Sequence, residues 1–179
     1  MNRPVVDDGY RDQAVALLGD HQPSGPLRGG KYSAFDAGTR VPFLAHWPDR
    51  IRPGKSDALM SQIDLFASLV ALTGRSIPTE AGPDSREMLA TLLGESTRSR
   101  EYVIEHSSAG VLSIIKDGWK YIEPHEGARV SRYTNIELGN DPEPQLYNLI
   151  DDLGEQHNLA TRYPEKVDEL AELLESVRN

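Results

Sequence analysis

The chain contains no cysteine among its 179 residues. Disulfides, thiolate metal sites and a cysteine nucleophile are excluded, while the redox compartment stays open. No run approaches the roughly 20 apolar residues that a membrane-spanning helix needs. The opening Met1-Asn2-Arg3-Pro4 has no apolar signal-peptide core. That leaves two readings: a cytosolic protein, or a chain whose true N-terminus lies upstream. Positive charge is also scarce. A formal net charge of −9 argues against a general nucleic-acid binder, which needs a basic face against phosphates. Internal repeats and low-complexity tracts are missing too.

What is present suffices for a packed core. Hydrophobic residues make up 38% of the chain, and 15 glycines bring the apolar total near the globular norm of roughly 45–50%. Charge is segregated. Between Thr134 and Asn179 there are 11 acidic residues against three basic ones, whereas Arg28 to Lys55 carries six basic residues against Asp36 and Asp49. A basic segment in an acidic protein is a candidate receiver for a small anion, and solvated surface charge is the plainer reading. The carboxylates near the C-terminus read most simply as a solvated helix face.

Periodicity divides the chain. Tyr10–Leu18 suggests a short helix, followed by a glycine-rich loop from His21 to Gly30. The continuous apolar run Val41-Pro42-Phe43-Leu44-Ala45-His46-Trp47 has the look of a buried strand, with His46 as a structural residue within it. Gln62–Thr73 predicts a helix with Ile63, Phe66, Leu69 and Val70 on one face and Gly74 as its C-terminal cap. A short helix is expected over Ser85–Leu93, ending at Gly94. Tyr102–His106, Val111–Ile115, Trp119–Ile122 and Leu146–Leu149 read as short strands, with Asp117-Gly118 as a hairpin turn. Pro164 opens a closing helix with an apolar stripe of Val167, Leu170, Leu173, Leu174 and Val177. The second half thus predicts an antiparallel sheet with a helix packed on it.

One stretch is more than composition. Leu27-Arg28-Gly29-Gly30-Lys31 followed by Gly38-Thr39-Arg40-Val41-Pro42 resembles the sulfatase pattern L-R-G-G-K, a short spacer, then G-x-R-x-P. Trp47-Pro48 and Gln62-Ile63-Asp64-Leu65 follow at that family's spacing. Leu146-Tyr147-Asn148-Leu149, Asp151-Asp152 and Gln156-His157-Asn158-Leu159-Ala160 are similar to its tail, L-Y-x-L, D-P, E-x-x-N-L. The resemblance implies an α+β chain. Residues 1–80 would be the end of an alkaline-phosphatase-like α/β sulfatase domain, and 81–179 a small antiparallel sheet packed with a C-terminal helix. It also implies hydrolysis of aryl or carbohydrate sulfate esters, with a sulfated small molecule or glycan as partner. Calcium would be the cofactor, a formylglycine the nucleophile, and the periplasm or the exterior the compartment.

Residue by residue, the resemblance assigns two roles. Lys31 matches the lysine that contacts sulfate, a task suited to a compact cation with three donors. Asn2 matches the asparagine of the metal motif S-D-N-G-P, with Met1 at the aspartate's place and Arg3 at the glycine's. His21, ten residues before Lys31 on the same loop, is a candidate for lining the substrate pocket; a loop histidine without a role is the other reading. Ser24-Gly25-Pro26-Leu27-Arg28 fits the bare nucleophile motif S-x-P-x-R but already has its place in the downstream pattern. Asp7-Asp8 stands on the wrong side for the family's metal-binding pair. The nucleophile segment and the early aspartates are not among these residues, so the chain reads as a fragment inactive alone, with strand edges its missing neighbours should cover. Two other classes remain open: a related phosphoester hydrolase, and a non-catalytic module binding a sulfated glycan or a partner protein.

Overall fold

The computed structural model describes residues 21–178 apart from Thr79 and Tyr133. Asn2, the Asp7-Asp8 pair and the helix expected over Tyr10–Leu18 lie outside the described residues. The described elements are α1 (Asp36–Thr39), α2 (Asp64–Leu72), α3 (Leu89–Leu92), strands β1 (Tyr102–His106), β2 (Leu112–Lys116), β3 (Trp119–Ile122) and β4 (Gln145–Asn148), and α4 (Pro164–Val177). The arrangement is α+β, as expected. Two compact units emerge: the described residues of Met1–Val41 with Ile104–Asn179, and Pro42–Val103. These units run across the division at residue 80 that the sequence suggested.

The first unit is built on a four-stranded sheet in the order β1-β2-β3-β4. Asp117 and Gly118, both at positive φ, form the two-residue turn that twists β2 into β3, and Lys116 pairs with Trp119 directly beside it. Register then decides the faces, because side chains alternate along a strand. Lys120 is paired with Ile115 and Tyr147, and Tyr121 with Ile114 and Leu146. Ile114, Tyr121 and Leu146 therefore share one face with Trp119, and α4 covers it.

Pro164 opens α4, where its missing N–H is no loss. Leu170 and Leu174, one turn apart, are the helix's buried residues, each contributing roughly 1.5–3 kcal/mol by leaving water. Trp119 meets Tyr163 edge to face at 5.3 Å, and Lys116 reaches Glu169 at 3.7 Å. The opposite face carries Ile122 and Tyr147, which pack with Val111 against Ala34 and Phe35 of the glycine-rich loop. The sheet is thus covered on both sides, by the expected helix and by a loop from the N-terminal half.

The second unit departs from the sequence reading at two places. Val41–Trp47 forms no strand, and Phe43, Leu44 (89% exposed) and Trp47 lie open to solvent. His46 is exposed with them rather than held in a core. A strand buried on both faces exists only through its neighbours' hydrogen bonds and side chains, and no described strand lies beside this run. Helix α2 forms where expected and ends before Gly74 at φ +70, but it buries the other face. Asp64, Ala67 and Ser68 point inward, while Ile63, Phe66 and Leu69 are exposed. The shorter α3 also forms, with Gly94 at positive φ just beyond it.

Polar bonding explains the inward face of α2. The Asp64 carboxylate, 0% exposed, accepts from Arg100 Nε at 2.7 Å and from a second Arg100 nitrogen. It also accepts the backbone N–H groups of Ser61 and Arg86, each at 2.9 Å. Ser68 Oγ donates to the Asp64 carbonyl and accepts from Met88 N. Burial pushes the Asp64 carboxyl upward, but the Arg100 guanidinium and the two N–H donors outweigh it and hold the pKa below the ordinary value. A lowered folded-state pKa adds stability above the unfolded value, and that stability is lost as pH falls through the folded one. Asp64→Asn should cost about 3–5 kcal/mol at neutral pH, since it leaves Arg100 unpaired in a nearly buried place. Urea denaturation at pH 7 and at pH 3 checks this: the difference between wild type and variant should shrink in acid.

Candidate functional site

The glycine-rich loop is held in one shape from Gly25 to Arg40. Gly29, at φ +80, and Gly38 are required sterically: a Cβ on Gly29 would collide with the Ser33 side chain, and one on Gly38 with the Ser33 carbonyl oxygen. Arg28 donates to both oxygens of Glu137 at 2.9 Å, to the Glu155 carbonyl at 2.6 Å, and lies 4.1 Å over the Phe35 ring. The Arg28 guanidinium at the end of the Ser24–Arg28 stretch is thus engaged in holding the loop. The Ala34 N–H donates to the Leu138 carbonyl at 2.9 Å.

Beneath the loop lies a buried charge cluster. Lys120 is fully buried in β3, and its Nζ stands 2.8 Å from Asp36 Oδ1, 3.2 Å from Glu105 Oε2 and 3.5 Å from Glu155 Oε1. The other oxygen of Glu155 accepts the Asp36 backbone N–H at 2.8 Å. Arg40 Nη1 approaches the second Asp36 oxygen at 3.4 Å. Burial opposes the Lys120 charge, but Glu105, Glu155 and Asp36 together hold its pKa above the ordinary lysine value. Burial, aided by the Asp36 charge, pushes Glu155 up to about 7 despite the pull of Lys120. Glu155 is therefore no part of a solvated acidic face, contrary to the sequence reading. Its backbone sits at φ +50.

Over this platform, Gly30, Lys31, Tyr32 and Ser33 make a tight turn closed by Ser33 N–H to the Gly30 carbonyl at 2.9 Å. Lys31 occupies its exposed corner, with Nζ 5.1 Å from the Tyr32 ring centroid. His21 is exposed at the start of the described loop. Among the described residues no ion pair or hydrogen bond brings it to Lys31. Asn2 lies outside the described residues.

A cation centre of three carboxylates exists, but an ammonium fills it. Among the described residues no group of three His, Cys, Asp or Glu side chains is arranged to hold a metal ion. Lys120, Asp36, Glu105 and Glu155 were missed in the sequence. The available signal was a lysine set among Trp119, Tyr121 and Ile122 in a strand buried on both faces.

With this geometry in place, comparison with known proteins gives a family. A sulfatase family model matches residues 6–75. The chain corresponds to a C-terminal portion of sulfatase relatives. It is 52% identical over 177 residues to an N-acetylgalactosamine-6-O-sulfatase of Bacteroides thetaiotaomicron, covering 99% of this chain and 35% of that protein. Bovine arylsulfatase A is 32% identical over 169 residues, covering 87% of this chain and 32% of the relative. A solved structure from the glycosaminoglycan metabolism of Bacteroides thetaiotaomicron superposes with a TM-score of 0.89 at 52% identity, covering 94% of this chain and 35% of that one. The chain thus spans about a third of the length of the relatives it matches. Among the described residues no helix is long and apolar enough to cross a membrane.

The cluster yields two expectations. Lys120→Met strands three carboxylates without a cation and should cost about 3–5 kcal/mol, read as a lowered urea midpoint. For Glu155 the folded value of about 7 exceeds the ordinary 4.5. Its contribution to folding is present below 4.5 and lost as pH rises through about 7. Glu155→Gln should flatten the pH dependence of stability across that window, measured by thermal melts from pH 4 to 8. An unchanged slope would reject the assignment.

Proposed function

We propose that this chain supplies the sulfate-contacting lysine and the C-terminal sheet of a sulfatase acting on a carbohydrate sulfate ester. The observation that carries the reading is Lys31, presented on a fixed turn within a segment that matches a sugar 6-O-sulfatase over nearly its whole length. A compact ammonium at an exposed corner is suited to an anionic ester oxygen. His21 would line the same pocket from the loop's start. Residues 1–80 would belong to the end of the catalytic domain and 81–179 to its C-terminal subdomain, in keeping with the family match over 6–75.

A sulfatase also uses a divalent metal, calcium in this reading, to which Asn2 would contribute an amide oxygen. A formylglycine nucleophile would come from outside these 179 residues. Export to the periplasm or beyond fits the same reading. On this view the chain alone binds but does not turn over.

The test is hydrolysis by the purified chain, with calcium, of N-acetylgalactosamine 6-sulfate, 4-nitrophenyl sulfate and 4-nitrophenyl phosphate. No turnover is expected, with weak binding of the sulfate esters abolished by Lys31→Ala. Turnover of a sulfate ester would refute the dependence on a missing nucleophile. Preference for the phosphate ester would move the assignment to phosphoester hydrolysis. A second determination is the coding sequence upstream of Met1, where an in-frame C-x-P-S-R or S-x-P-S-R is expected.

A further inference from the structure

Tyr32 occupies a place that backbone chemistry reserves for glycine. It is the third residue of the Gly30–Ser33 turn and sits at φ +84, the left-handed region that a type II turn requires there. An L-residue with a bulky ring is disfavoured in that region. Such strain persists only where the surroundings over-determine it, and it gathers at ligand sites. Here the surroundings are explicit. Both the backbone N–H and Oγ of Ser108 donate to the Tyr32 carbonyl, at 3.2 and 3.3 Å. The turn carrying Ser108 is fixed by the buried Ser107 Oγ, which accepts the N–H groups of Ala109 and Val111.

None of this buries the ring. Tyr32 is 46% exposed, beside the Lys31 ammonium. The ring is left half exposed, with the Lys31 ammonium over it and its remaining exposed surface open to solvent. We propose that Tyr32 is the stacking platform for the pyranose ring of a sulfated sugar whose sulfate reaches Lys31, an inference that rests on the Lys31 reading above. The negative face of an aromatic ring attracts the slightly positive C–H groups of a pyranose, and an aryl ring can also stack on it in an offset arrangement.

The experiment is an NMR titration of the chain with N-acetylgalactosamine 6-sulfate and inorganic sulfate. Tyr32→Asn removes the ring yet keeps a residue at home in the left-handed region; Tyr32→Phe keeps the ring. Tyr32→Asn should weaken the sugar sulfate about three- to tenfold and leave inorganic sulfate unchanged, while Tyr32→Phe binds as wild type. Two results would overturn the proposal: no sugar-sulfate binding by the wild type, or equal loss of inorganic sulfate in Tyr32→Asn. If Lys31→Ala changes nothing while Tyr32→Asn still weakens the sugar ester, the lysine reading falls and the platform stands.

Discussion

The buried ammonium of Lys120 holds the first unit together. An isolated lysine charge inside a protein costs several kcal/mol of lost hydration. Here that loss is offset by three carboxylates from three separate segments: Asp36 from the loop, Glu105 from β1 and Glu155 from the tail. Each carboxylate alone would be equally costly in that place. The cluster therefore favours one geometry, in which the loop, the sheet and the tail meet, and it penalises partial assembly. Apolar packing by Ile122, Val111, Phe35 and Tyr147 surrounds it and supplies area; the charges supply register.

This arrangement gives the tail motif a physical meaning. Asn158 Oδ1 accepts the N–H groups of Leu146 and Ala160, pinning the chain that follows Glu155 to β4. Glu155 then reaches the loop with both its side chain and its carbonyl, which bind Asp36 N–H and Arg28. Two motifs separated by more than a hundred residues are the two halves of one contact. The second unit repeats the principle on a smaller scale. Asp64 gathers Arg100, Ser61 and Arg86, and this polar bonding, not apolar area, decides which face of α2 turns inward.

Local chemistry made much of the fold legible. The Asp117-Gly118 turn, the strands on either side of it and the Pro164 helix start all carry signals within a few residues, and all lie where expected. The 41–47 strand failed because its signal is one of composition, whereas a parallel strand is made by hydrogen bonds from neighbours. The outward face of α2 failed for a related reason: amphipathic period says which residues share a face, not which face finds a partner. Glu155 was misread because net charge in a window cannot separate a solvated carboxylate from one that meets a lysine encoded 35 positions earlier. The loop around Lys31 was legible by resemblance, but its support from β1, β3 and the tail was not.

That support bears on what an exposed residue can do. Lys31 and Tyr32 stand at the surface, where long side chains ordinarily sample many rotamers and lose entropy on binding. The backbone beneath them is nevertheless fixed at three points: Arg28 on Glu137 and Glu155, Ala34 on Leu138, and the Tyr32 carbonyl on Ser108. The four-residue turn between these anchors has little freedom left. Part of the ordering that ligand binding would require is thus already done when the protein folds. The C-terminal sheet would in this sense be part of the proposed binding site, although none of its strands presents a side chain beside Lys31.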